Sequence, residues 1–249
     1  MKSATRPSRI GALALIVLLA GATRCASWRQ EVKPLPALVA ASRDSAWDEL
    51  LRLRRAAPRL ASYASIRVET GKSKQSFKAT IATDERGRLR VDAFSPMGTA
   101  AFTLYVDGDE ATMVDHVNRT WWKGPFPVAA KSLGLPDSLG AHAVVMLAFG
   151  LPAWSLESKS RDGAASQNGV SYVVQREGLE EAEGNGWRAR FEPASYPASR
   201  VTISTADGSR AMTVRHLEAG EASRDVKPPR IEPSYRCCVE PVGWGHTER

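Results

Sequence analysis

"RLRVDAFSPMGTAAFTLYVDG", residues 88–108, alternates apolar and polar side chains on either side of Pro96-Met97-Gly98. Leu89, Val91 and Ala93 share one face and Arg88, Arg90 and Asp92 the other, the period-two pattern of a half-buried strand. Proline and glycine supply turn geometry, so the stretch reads as a β-hairpin. Its turn holds one anomaly. Polar residues usually fill the remaining turn positions, yet Met97 is a large apolar side chain at a tip that water should reach.

The same period continues outward. "ASIRVET" (64–70) and "SFKATIATD" (76–84) come before the hairpin, and "EATMVD" (110–115) and "RTWWKG" (119–124) come after it. Gly71, Gly87 and Asp107-Gly108 punctuate them. Ile66 and Val68 share a face, as do Phe77, Ala79 and Ile81, while Arg67, Lys78 and Thr80 fall opposite. One dry face and one wet face describe an antiparallel sheet. Parallel pairing would need crossover helices, and none separates these strands.

Helical spacing appears twice. "RDSAWDELLRLRRAA" (43–57) places Trp47, Leu50, Leu51 and Leu53 on one side, and Pro58 ends it. The apolar stretch "PVAAKSLGLPDSLGAHAVVMLAFGLP" (127–152) is divided by Gly134 and Pro136 into two short helices, with Val144, Val145, Leu147, Ala148 and Leu151 directed at the sheet. After a polar interval the strands resume at "VSYVVQRE" (170–177), "GWRARFEP" (186–193), "RVTISTAD" (200–207) and "RAMTVRHLE" (210–218). The expected fold is mainly β with α: a strongly bent, curved antiparallel sheet of about ten strands with a concave apolar face, and about three helices. Helices that plug its concave face incompletely leave an apolar cavity, and helices that fill it leave a packed core. The pattern admits both.

The N-terminus bears on the compartment. Lys2, Arg6 and Arg9 precede the apolar run "IGALALIVLLAGA" (10–22), the form of a secretory signal over residues 1–24. Cleavage after Ala20-Gly21-Ala22 would release a chain beginning at Thr23. Alternatively, Cys25 stands where a bacterial lipoprotein signal places its lipidated cysteine, although Arg24 departs from the expected lipobox. Residues 25–42, with Pro34 and Pro36, read as a tether, 43–220 as the folded domain and 221–249 as an irregular tail. The whole chain carries +7, and losing Lys2, Arg6, Arg9 and Arg24 leaves about +3. That mild balance argues against nucleic acid as a partner.

Motifs for chemistry are sparse. His142 lies in an apolar helix as a hydrogen-bonded core residue, His216 in a strand and His246 in the tail, and His116 follows Asp115 without a recognisable third partner. "DGDE" (107–110) lacks the spacing of a calcium loop and "EGNGW" (183–187) is another turn. Cys237 and Cys238 are adjacent, too close for an unstrained disulfide. No enzyme, cofactor or metal site is expected.

"SPMGTAAFTLYVDGDEATMVD", "VVMLAFGLP" and "GWRARFEPASYPASRVTISTADGSRAMTVRHLE" together resemble, in order over roughly residues 43–218, the outer-membrane lipoprotein insertases (LolB-like proteins) within the wider LolA/LolB-like fold. The resemblance implies that the curved antiparallel sheet forms an incomplete barrel, a half-barrel capped by about three helices around an apolar cavity that takes up the acyl chains of lipidated client proteins. It implies a location in the bacterial cell envelope, at the outer membrane facing the periplasm through a lipid on Cys25, with a soluble periplasmic carrier as a further partner. The turn Pro96, Met97 and Gly98 would enter the membrane surface or meet the client, unless Met97 folds back onto Phe94 or Phe102. The lining would come from Ile66, Val68, Phe77, Ile81, Leu89, Val91, Phe102, Leu104, Trp121, Val144 and Leu147. A triacylated client exposes on the order of forty methylenes, and at ~0.8 kcal/mol each their exposure to water would cost tens of kcal/mol. A soluble lipid carrier and a purely structural envelope lipoprotein remain the alternatives.

Overall fold

The structure, a computed structural model, describes residues 32–56, 59–71, 73–153, 164–167 and 169–238. The segment read as a secretory signal, Cys25, His246 and everything beyond residue 238 lie outside them. In chain order the elements are β1 (Val32–Pro34), α1 (Arg43–Ala56), β2 (Leu60–Thr70), β3 (Ser73–Thr83), β4 (Leu89–Phe94), β5 (Ala100–Asp107), β6 (Glu110–Asp115) and β7 (Thr120–Pro125). Then come α2 (Phe126–Ser132), α3 (Ala141–Ala148), β8 (Ala164–Gln167), β9 (Val170–Gln175), β10 (Gly178–Gly184), β11 (Trp187–Glu192), β12 (Arg200–Thr205), β13 (Arg210–Ala222) and β14 (Arg236–Cys237).

Among the described residues all strands join one 14-stranded sheet, in the order β14-β7-β6-β5-β4-β3-β2-β13-β12-β11-β10-β9-β8, with β1 beside β13. The fold is mainly β, and its sheet is curved and unclosed. Hairpins build each half, and the long pairing of β2 with β13 joins the halves. Cross-strand partners project from the same face. Ile66 opposes Phe77 and Val214, and Ile81 opposes Val91, which opposes Leu104, then Met113, then Trp122. These rows form a continuous apolar face.

The helices cover that face. α1 packs on β9 and β10, α2 on β6 and β7, and α3 touches both β4 and β12. Three strands separate β4 from β12, which a flat sheet would hold roughly 19 Å apart. The sheet therefore bends around α3 with its apolar face inward. α3 suits that position because every residue but His142 is buried, as befits a helix apolar all round. α1 is amphipathic: Trp47, Leu50, Leu51 and Leu53 are buried, and Asp44 and Arg54-Arg55 sit at the ends that favour their charges.

Several segments carry strands that their sequence reading did not assign. The stretch read as a tether supplies β1, and the tail supplies the end of β13 and the two-residue β14. β14 pairs parallel with β7, so the sheet is not wholly antiparallel. "GLEEAEG", unassigned from its composition, is β10, which pairs with both β9 and β11. β2 also begins four residues before its apolar alternation becomes visible, at Leu60.

At the start of β10, Gly178 lies against the main chain of Ser195, and a Cβ there would overlap that backbone. Gly178→Ala is expected to lower unfolding stability by about 1–3 kcal/mol, read as a shift in the urea midpoint.

Candidate functional site

The Met97 turn is fixed from below. The Ser95 amide donates to Thr99 O at 2.9 Å, the Gly98 amide donates to Ser95 O at 2.9 Å, and the two hydroxyls of Ser95 and Thr99 lie 2.8 Å apart. Gly98 has φ +80°, the left-handed position that closes a three-residue hairpin after Pro96 and Met97. The strand pairing shifts register just below, between Ala93 and Phe94. Met97, at the tip of this turn, stands 84% exposed.

The residues read as cavity lining fall into two groups. Ile66, Val68, Ile81, Leu89, Val91, Phe102 and Leu104 share the concave face and are buried there, in one apolar cluster with Val144 and Leu147 of α3. Phe77 joins the cluster, partly buried at its margin. Trp121 does not belong. It opposes Val114, which opposes Thr103, and those side chains project from the convex face. The inward indole is Trp122, opposite Met113, folded so closely over Gly124 that a Cβ there would meet the ring.

Polar groups that the sequence left without a role make two ties. His216 projects from the concave face, opposite Ala64. Its Nε2 lies 2.6 Å from Ala148 O at the end of α3, and its Nδ1 lies 2.6 Å from Ser62 Oγ. A carbonyl only accepts, so Nε2 carries the proton and Nδ1 accepts from Ser62. Burial pulls the imidazole below its usual pKa against the opposing Ala148 bond, which keeps it neutral. His142, expected in the core, is instead exposed on α3, with Nε2 3.2 Å from Arg54 Nη2. Desolvation and then the Arg54 charge hold its pKa down.

The second tie lies on the convex face. Thr103 Oγ1 donates to Asp92 at 2.7 Å and lies 3.0 Å from His116 Nε2, while His116 Nδ1 lies 3.2 Å from the Tyr235 hydroxyl. Arg90 grips Asp92 through two bonds of 2.8 and 2.9 Å and donates to Lys227 O at 3.0 Å. The chain of contacts begins and ends on residues 223–238, so it clasps that segment across β4 to β7. Thr103 is 1% exposed, so its hydroxyl is enclosed by these partners. Among the described residues no group of three or more His, Cys, Asp or Glu could hold a metal ion. An open groove of about 820 Å³ between Ser42-Arg43-Asp44 and Gln175-Arg176-Glu177 balances two cations against two carboxylates.

His216 generates a pH prediction. Its folded pKa lies below the unfolded value of about 6.5, so the unfolded chain binds more protons between the two. The stability is fully present above that value and is lost as pH falls through the folded pKa. His116, whose pKa burial also lowers against Asp92 and Asp115, adds to the same slope, as does His142. The melting temperature is expected to fall between pH 7.5 and 5.5, and less steeply in His216→Gln. Ser62→Ala, which removes the donor to Nδ1, is expected to cost about 1–3 kcal/mol at pH 7.5.

No family model and no curated protein matches the chain. Solved structures do. A LolA superfamily protein from Nitrosomonas europaea is 10% identical, covering 76% of this chain and 96% of its own, with a TM-score of 0.40. A conserved protein from Thermus thermophilus is 8% identical over 77% of this chain and 97% of its own, at 0.38. A domain from Vibrio parahaemolyticus, described as an outer membrane lipoprotein-sorting protein, is 7% identical over 72% and 93%, at 0.40.

Proposed function

We propose that this chain is a non-catalytic handler of acyl chains in the bacterial cell envelope, which takes lipidated client proteins onto the concave face and helps insert them into the outer membrane. The observation that carries the reading is Met97. A hairpin cross-linked at its base holds a large apolar side chain out in water, where it contributes nothing to the core. Burying such a side chain elsewhere contributes roughly 1.5–3 kcal/mol, a contact that forms and breaks readily. A lipid surface or an exposed acyl chain is the partner that suits one protruding thioether.

The concave face supplies the second half of the reading. Its rows of Ile, Val, Leu and Phe make an apolar surface of the chemistry that an acyl chain needs, covered here by α3. Uptake then requires α3 to move and its bond with His216 to open. In this reading Cys25 carries a lipid anchor, and the soluble partner is a carrier that delivers the client. The dense packing of the concave face favours one competing reading, a fixed core in which only the Met97 turn meets the membrane.

The test follows a fluorescent triacylated peptide from the purified protein into phospholipid vesicles. Parent and Met97→Leu are expected to bind and deliver it. Met97→Glu is expected to bind it equally but to deliver at least about tenfold more slowly, since the insertion contact is gone. If the parent takes up no peptide, the handler reading is wrong and the fixed-core reading replaces it. A chain extracted from membranes that begins at Cys25 with a diacylglyceryl group supports the anchored form. One that begins at unmodified Thr23 supports a soluble carrier.

A further inference from the structure

We propose that the β6–β7 turn is a second membrane-contacting prong beside the Met97 hairpin, with Val117 entering the acyl boundary of a phospholipid bilayer and Arg119 held at its phosphates. The inference rests on the reading above only in taking the Met97 end of the sheet as the end that meets a membrane.

Topology puts the two turns together. Successive hairpin connections leave an antiparallel sheet at alternate ends, so residues 95–99 and 116–119 emerge at one end and 108–109 at the other. The His116 amide donates to Ala101 O at 2.9 Å, which seats the second turn against the base of the first. Two strand spacings set the turns about 10 Å apart.

The second turn is as firmly held as the first. Asp115 accepts from the Val117 and Asn118 amides, both at 2.9 Å, and from Asn118 Nδ2 at 2.8 Å. Arg119 takes φ +53°, a left-handed bend uncommon outside glycine. A β-branched side chain is thereby fixed outside the sheet, and Val117 is 62% exposed. Strain and rigidity spent on presenting an apolar tip would be wasted on a solvent loop.

Charge favours lipid as the occupant. Arg119 is exposed beside Val117, and Arg236, also exposed, is the β14 partner of Thr120. Of the carboxylates nearby, Asp115 is buried in its own turn, and the exposed Glu232, which acts on His116, is one anion against the two guanidiniums. Guanidinium groups bind phosphate through paired hydrogen bonds, and one such cation near an anionic bilayer is worth about a fivefold change in binding. Two single apolar tips separated by Ser95, Thr99 and Asn118 make no contiguous patch of the kind a protein interface needs. A fluid surface admits each tip separately.

The test is partitioning of the full chain onto vesicles of phosphatidylcholine, with and without phosphatidylglycerol, with melting temperature as the folding control. Val117→Glu is expected to weaken binding roughly tenfold and Val117→Phe to strengthen it roughly fivefold, both with the parent's melting temperature. Arg119→Gln is expected to lose about fivefold on vesicles with phosphatidylglycerol and less without it. If Met97→Glu abolishes binding while Val117→Glu and Val117→Phe bind like the parent, the second prong is refuted and the handler reading stands. If Met97→Glu and both Val117 variants bind like the parent, this end of the sheet is not the membrane end and both fall.

Discussion

A sheet this wide with one apolar face cannot leave that face in water, and the molecule is organised by how it is covered. α3 is the main cover for the middle of the sheet. It is eight residues long, about 12 Å, so it spans the distance from β4 to β12 only if the strands bend toward it. Curvature and helix therefore require each other. His216 adds direction to an otherwise non-directional contact, because its ring bridges Ser62 on β2 and the terminal carbonyl of α3. That single imidazole satisfies a helix-end acceptor that burial would otherwise leave unpaired.

The convex face is managed differently. It carries Arg90, Asp92, Thr103 and His116, and residues 223–238 are laid across it by hydrogen bonds rather than by apolar packing alone. The same segment ends in β14, whose pairing covers the edge of β7. An uncovered edge would offer free amides and carbonyls to another chain. The clasp thus stiffens β4 to β7, the strands that carry both the Met97 and the Val117 turns. Rigid turns matter for the proposed role, since a tip that collapsed onto its own sheet would present nothing.

Legibility in the sequence followed the strength of local signals. The hairpins from β2 to β7 were readable because apolar and charged residues alternate cleanly and glycines mark the turns. β10 was not, because "GLEEAEG" holds little apolar surface and is a strand by virtue of its neighbours. β14 was invisible for a similar reason: two residues find their partner more than a hundred positions away. Trp121 and Trp122 are adjacent, so alternation allowed either to face inward, and only the register through Met113 decides. At the site, Met97 stood out as an apolar residue where a polar one belongs. Val117 gave a weaker version of the same signal, masked by the polar residues around it. The clasp joins Asp92, Thr103, His116 and Tyr235 across the fold, and no spacing along the chain could have announced it.

The weakness of the membrane contact is consistent with the proposed role. One methionine and one valine, each partly inserted, with one guanidinium at the phosphates, supply only a few kcal/mol before the costs of association. For a chain held at the membrane through Cys25, affinity is already provided by tethering, because the anchor keeps the turns at high effective concentration near lipid. Such a chain needs the prongs for orientation: two rigid contacts about 10 Å apart fix the tilt of the sheet in a way that one contact cannot. A soluble carrier would have to find the surface with these contacts alone, and their small sum would leave it mostly unbound. Within the proposed reading, two-point geometry with low affinity suits a chain anchored through Cys25 that turns toward the bilayer, releases its cargo and lets go.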